Sequence, residues 1–194
     1  MKLKEKDARN LEEWYAGKEL TSDWFTSKVP HWTTHLKGFT KRPIRFLELG
    51  SFEGRSAIFI LNHFPQAHLT CIDLFNGEFE NRFDSNLAEF GDRVTKLKGK
   101  AISHLDDLIA QKKRYQIIYL DAGKMRDPTL VMSIMAWAML REGGVMIWDD
   151  YQWKLDRPAD QRPHDAINAF LDYKAGEYDV LWKGSQVMIR RKPI

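Results

Sequence analysis

The chain has 194 residues, 43% of them hydrophobic and 29% charged, with a formal net charge of +3. That is enough apolar material for a core of ordinary domain size, and it excludes a disordered chain. The weak positive balance gives no electrostatic case for a nucleic-acid partner, no run of about 18 apolar residues marks a membrane span, and the charged start MKLKEKDARNLEEW lacks the apolar segment of a signal peptide.

The first forty residues carry Trp14, Tyr15, Trp24, Phe25, Trp32 and Phe39. Such a density of large apolar groups predicts one or two helices that pack on the rest of the chain or cover a pocket. His31 and His35 have helical i, i+4 spacing, and a solvent-facing helix is the simplest reading of the pair. Next comes FLELGSFEGRS, residues 46–56, an apolar strand that ends in a carboxylate and a Gly-rich turn, with the helix-like AIFILNHF directly behind it. Gly50 and Gly54 let the backbone bend and approach a ligand, as at a nucleoside site outside the C-terminal end of a parallel strand. LTCID, residues 69–73, is a second apolar strand ending in an acid, and the Asp73 carboxylate suits the two hydroxyls of a ribose. Cys71 lies in this strand. As the one cysteine it excludes an intrachain disulfide and has an expected packing role.

Strands and helices alternate from there. Strands are predicted at Ile44–Leu49, Leu69–Asp73, Val94–Leu97, Ile117–Leu120 and Val145–Trp148, and helices at Ser56–Phe64, Asn81–Phe90, Ser103–Lys113 and Thr129–Leu140. Ser103 is the expected N-cap of the third helix, and Gly143-Gly144 the expected stop of the fourth. Pro163–Tyr173 reads as a helix, and Asp179–Lys183 and Gln186–Arg190 as short strands joined through Gly184-Ser185 in an antiparallel hairpin. The expected fold is α/β: a Rossmann-like, doubly wound sheet of seven strands, mostly parallel, with a C-terminal antiparallel hairpin and a helical N-terminal extension. One domain is expected over residues 1–194, with the extension at 1–40 and the core at 41–194. The antiparallel tail disfavours a nicotinamide dehydrogenase.

Taken together, LELGSFEGRSA, LTCIDLF, VTKLKGKA, YQIIYLDAGK, LREGGVMIWDDY and KGSQVMIRR resemble, in order, the motifs of class I S-adenosylmethionine-dependent methyltransferases. The resemblance covers roughly residues 20–192 and is nearest to bacterial-type enzymes with LEIGSFEGRS-like and GGVIVFDDY-like motifs. The catechol and caffeoyl-CoA O-methyltransferases share the layout. It implies S-adenosylmethionine as cofactor. Glu48, Gly50 and Ser51 would lie by its methionyl part and amino group, Phe52 would line its pocket, and Ser56 would hold the methionyl carboxylate at a helix N-terminus. Asp73 would bind the ribose hydroxyls, Lys100 and Ala101 would contact the adenine, and Asp121 would border the same cleft.

The chemistry is expected on the rim formed by Asp121, at the end of the fourth strand, and Asp149-Asp150, at the end of the fifth. Oxygen ligands of this kind suit Mg2+ or another divalent cation rather than zinc. Catechol-type enzymes hold a metal here with two aspartates and an asparagine, and Asp150 replaces the asparagine. Lys124, in DAGK, matches the lysine that serves those enzymes as general base. Its other reading is an ion pair with Asp149 or Asp150, which would make it a poor base. Tyr151 and Trp153 follow the fifth strand and either stack on a flat acceptor or cover core. The expectation is a cytoplasmic methyltransferase acting on a hydroxyl oxygen of a small molecule, with Lys124, Asp121 and Asp149 catalytic and Asp121, Asp149 and Asp150 around a metal. Metal-independent transfer to nitrogen or a sugar hydroxyl, and a silent cofactor-binding protein, stay open beside it. The expected partner is the small-molecule acceptor, with no nucleic acid and no membrane, and a homodimer left open.

Overall fold

The computed structural model describes residues 1–193. Its centre is a seven-stranded sheet of order β3-β2-β1-β4-β5-β7-β6. The strands are β1 (Ile44–Leu49), β2 (Ala67–Asp73), β3 (Val94–Lys98), β4 (Tyr115–Leu120), β5 (Leu140–Trp148), β6 (Tyr178–Lys183) and β7 (Val187–Arg191). Strands β1 to β5 pair in parallel, while β7 runs antiparallel between β5 and β6. This is the Rossmann-like mixed sheet and terminal hairpin that the sequence predicts. The hairpin folds back so that its last strand, not its first, joins the sheet. The burial pattern explains the choice: Val187, Met188 and Ile189 are buried, whereas β6 is half-exposed and suits an edge.

Helices cover both faces. Successive residues of a strand point to opposite sides. Ile44 and Phe46 therefore join a core with α1 (Glu5–Tyr15), α2 (Val29–His35), α3 (Arg55–His63) and α4 (Glu78–Leu87). Leu47 and Leu49 join the other core, with α5 (Ala101–Ala110), α6 (Arg126–Met139) and α7 (His164–Tyr173). The aromatic N-terminus belongs to the first core: Phe25, Val29, Trp32, Leu36 and Phe39 are all buried there. Trp32 packs edge-on against Phe25 and Tyr119, with ring centroids 5.0 Å apart in both pairs.

Two local expectations are corrected. Ser103 lies inside α5, which starts at Ala101 with Lys100 as its N-cap. Helix α6 ends at Met139, before Gly143-Gly144, and those glycines fall within β5. They sit where the pairing shifts register between Tyr115 and Ile117, and a Cβ on Gly144 would lie 2.9 Å from the Gln116 carbonyl. The glycines thus mark a bulge with close backbone approach rather than a helix stop.

The turn after β1 is fixed from two sides. Gly50 has φ +88°, and a Cβ there would lie 2.5 Å from the Asp121 carbonyl oxygen, so the loops after β1 and β4 touch through backbone alone. Beneath the turn, Glu48 is fully buried and accepts hydrogen bonds from the hydroxyls of Ser51 (2.6 Å) and Ser56 and from the Cys71 thiol. Burial pushes the Glu48 pKa up to about 7 against the opposing effect of these donors, and the nearby Asp73 charge adds to the rise.

Two predictions follow from this turn. Gly50→Ala combines a left-handed φ with a backbone clash, so its thermal midpoint should fall by roughly 4–10 °C; an unchanged midpoint would contradict the close approach. The folded protein holds the Glu48 proton more tightly than the unfolded chain, so this group's stability contribution is complete below about 4.5 and is lost as pH rises through about 7. The loss is on the order of 3 kcal/mol. Denaturation midpoints of Glu48→Gln should therefore fall less than wild type between pH 5 and 8, and parallel profiles would show that Glu48 does not titrate in that range.

Candidate active site

The carboxyl ends of β1, β2 and β4 open into a cleft of about 580 Å³. Its walls include Gly50, Asp73, Lys100, Ala101 and Asp121, all expected cofactor residues, together with Leu74, Ile102, Pro128 and Met132. The sheet ladder continues past the strand ends here: Gly50 N–H donates to the Ile72 carbonyl, Asp121 N–H to Leu49 and Asp149 N–H to Leu120. The rim is therefore built from rigid backbone. Asp73 accepts the backbone N–H groups of Ser51 and Phe52, each at 2.9 Å, and that of Phe75 at 3.1 Å. A carboxylate offers about four acceptor positions, so capacity remains for a ligand hydroxyl.

Ser51, Phe52 and Ser56 face elsewhere. With Gly50 and Asp121 they line a smaller recess closed by Ser22, Trp24 and Phe25 of the N-terminal segment. Glu48, expected by the cofactor's methionyl part and amino group, lines neither cavity. Its side chain points under the turn, fully buried, with both oxygens engaged by Ser51, Ser56 and Cys71. The Ser56 hydroxyl is likewise spent on Glu48, which leaves its backbone N–H at the helix start for an anion.

The N-terminal segment is strapped onto this turn. Glu53 is buried and accepts from Thr21 through both backbone N–H (2.7 Å) and hydroxyl (2.8 Å), and it pairs with Arg82 at 2.7 Å. Arg55 Nε donates to the Ser22 carbonyl at 2.8 Å. Asp23 then turns the chain by accepting the N–H groups of Phe25 and Thr26, and the short 3-10 turn Thr26–Lys28 delivers Lys28 to the far rim.

That rim holds the three expected metal ligands. Asp149 pairs with Lys28 through Oδ1, and its Oδ2 accepts from the Tyr119 hydroxyl (2.5 Å) and Gln186 Nε2 (3.1 Å). Gln186 is aligned in turn by Trp32 Nε1 at 2.9 Å. Asp150 pairs with Lys124, whose ammonium also lies 5.3 Å from the centre of the Trp153 ring. Asp121 has no ion-pair partner among the described residues and touches the Tyr119 hydroxyl at 3.2 Å. Burial raises its pKa well above the usual carboxylate range, and the Asp149 charge raises it further. Burial opposes the charge on Lys124, but the bond to Asp150 and the field of Asp121 outweigh it and raise its pKa. Of the two readings of Lys124, the ion pair is the one present.

The donor set does not fit a divalent metal as it stands. Two of its three carboxylates carry lysine partners, and no group of three or more acidic, cysteine or histidine side chains among the described residues is arranged to hold a metal ion. Tyr151 is buried with its hydroxyl on Asn168, while Trp153 stands half-buried among Lys124, Lys154 and Arg157. Sequence reasoning missed Lys28, Glu53, Tyr119 and Gln186. Glu53 sits inside the quoted turn motif, but nothing in one sequence pairs Lys28 with a strand end more than a hundred residues away.

Comparisons with known proteins bear on the fold and the family. Solved structures share the fold at low identity. The O-methyltransferase from Bacillus cereus, solved with S-adenosylhomocysteine, is 19% identical with a TM-score of 0.71, over 95% of this chain and 91% of that one. TomG from Streptomyces achromogenes, an O-methyltransferase of tomaymycin synthesis solved with S-adenosylmethionine, is 22% identical with a TM-score of 0.66, over 99% and 92%. MycE of the mycinamycin pathway, solved with Mg and S-adenosylhomocysteine, is 15% identical with a TM-score of 0.70, and this chain spans 94% of itself but only 54% of MycE's length. No curated protein matches the sequence. Residues 47–151, more than half of the chain, match the family described as a methyltransferase domain. The chain belongs to that methyltransferase-domain family.

Proposed function

We propose that the protein transfers the methyl group of S-adenosylmethionine to a hydroxyl oxygen of a small molecule. The observation that carries this reading is the charge pattern of the cleft. Asp73 and Asp121 both line it and neither has an ion-pair partner among the described residues, while the acids beyond it, Asp149 and Asp150, are each neutralised by a lysine. Two acids without an ion-pair partner, against the single Lys100 of the same cleft, favour a nucleoside that carries positive charge, which would in turn hold Asp121 ionised against the burial that raises its pKa. When bound, S-adenosylmethionine supplies such a nucleoside and an electrophilic methyl group on a sulfonium.

In this reading Asp73 accepts from the ribose, and the apolar Leu74, Ile102, Pro128 and Met132 flank the adenine beside Lys100 and Ala101. Gly50 and Ser51 present backbone to the methionyl part, the Ser56 N–H faces its carboxylate, and Phe52 with Trp24, ring centroids 5.4 Å apart, shields the recess from water. Asp121 faces the reacting centre. Its raised pKa makes it the carboxylate suited to take the acceptor's proton, and Asp149, held by Lys28, Tyr119 and Gln186, fixes the rim beside it. Lys124, held charged by Asp150, serves as a fixed cation rather than a base. Oxygen as the acceptor atom is supported by the O-methyltransferases that share the fold, and a small-molecule acceptor by MycE, which shares the fold and is solved with mycinamycin VI. Residues 1–194 act as one domain, because the strap and Lys28 complete the site.

Calorimetry tests this directly. Asp73→Ala should weaken S-adenosylmethionine and its neutral analogue methylthioadenosine alike, by roughly tenfold or more. Asp121→Asn should weaken S-adenosylmethionine while leaving methylthioadenosine within about twofold. Equal loss of both ligands in Asp121→Asn would contradict the charge argument, and no binding of either by the wild type would overturn the assignment.

A further inference from the structure

The rim beyond the cleft carries a cation of its own. We propose that Lys28, brought in by the N-terminal segment, occupies at Asp149 the charge-neutralising place that a divalent cation would otherwise take, so that the rim is held in shape by a tethered ammonium and the protein needs no metal. The proposal rests on the methyltransferase reading above and extends it to the way the acceptor site is built.

Asp149 is saturated. Its Oδ1 meets the Lys28 ammonium and accepts the Asp150 N–H at 2.7 Å, and its Oδ2 accepts from Tyr119 at 2.5 Å and Gln186 at 3.1 Å. Those four contacts use the whole acceptor capacity of a carboxylate, so a metal could bind only by displacing Lys28 or a neutral donor. The pair is shielded, with side-chain exposures of 12% for Lys28 and 5% for Asp149. Lys28 is also held from behind. Its own N–H bonds the Phe25 carbonyl at 2.8 Å, and its neighbours Phe25 and Val29 are buried in the core. The ammonium is therefore a built part of the rim rather than a surface side chain that folds down. It is linked to the cleft by one atom, since the Tyr119 hydroxyl touches both Asp149 and Asp121. Lys124 does the same for Asp150. Lys28 acts through Asp149 and is a positioning residue.

The test uses the full chain saturated with S-adenosylhomocysteine and titrated with MnCl2, followed by Mn2+ electron paramagnetic resonance and calorimetry. Wild type should show no saturable Mn2+ binding up to about 1 mM. Lys28→Ala frees a buried carboxylate and should gain a single site at least about tenfold tighter. Lys28→Arg, which keeps the cation, should behave as wild type. A purely structural lysine would not move this readout. Stoichiometric Mn2+ binding by wild type overturns the proposal, whether or not Lys28→Ala folds, and so does a folded Lys28→Ala that gains no site. Failure of the methyltransferase reading is separate: wild type would then not bind S-adenosylhomocysteine at all.

Discussion

Five carboxylates end adjacent strands or open the loops beyond them, and the molecule has to compensate each one. A buried carboxylate without partners is among the costliest groups a fold can carry. Glu48 is met by hydroxyls and a thiol, and burial raises its pKa to about 7. Asp73 is met by backbone N–H groups of the Gly-rich turn. Asp149 and Asp150 are met by lysines. Asp121 alone is left with only a tyrosine hydroxyl, and it faces the cleft. In the proposed function the positive charge of S-adenosylmethionine completes this arrangement. The geometry of the site is then the geometry of charge compensation at one edge of the sheet.

The same constraint gives the N-terminal extension its role. Residues 18–32 do more than pad the first core. They satisfy Glu53, cross the turn after β1 and end by neutralising Asp149. Leaving one buried member of such an ion pair alone costs on the order of 3–5 kcal/mol. Folding of the extension and assembly of the acceptor rim are therefore coupled, and Trp32 ties them through Gln186 in the last strand. A segment that looks like an accessory in the order of the chain is structurally part of the site.

Much of this was legible in the sequence. Apolar runs ending in acids marked β1, β2, β4 and β5, because strands covered on both faces read as continuous hydrophobic stretches. Of the residues that line the cleft, Gly50 and Asp73 were read from the turn after β1 and the end of β2, while Lys100, Ala101 and Asp121 came with the resemblance to class I methyltransferases. Side-chain direction was not legible. Glu48 sits two residues after Phe46 on the same face and so turns into the core, away from the cleft. The Gly143-Gly144 pair read as a helix stop because local turn chemistry cannot reveal a bulge set by pairing with β4. The metal expectation rested on three acids at neighbouring strand ends and on the resemblance to catechol-type enzymes. The pairing of Lys28 with Asp149, on which the metal-free proposal rests, is purely tertiary and was not legible.

The most direct test of the account is a crystal grown with S-adenosylhomocysteine and MnCl2 and measured at the manganese edge. The account predicts nucleoside density in the cleft with its ribose on Asp73, the Lys28 ammonium on Asp149, and no anomalous peak among Asp121, Asp149 and Asp150. An empty cleft, or a manganese peak on those carboxylates with Lys28 displaced, would contradict it.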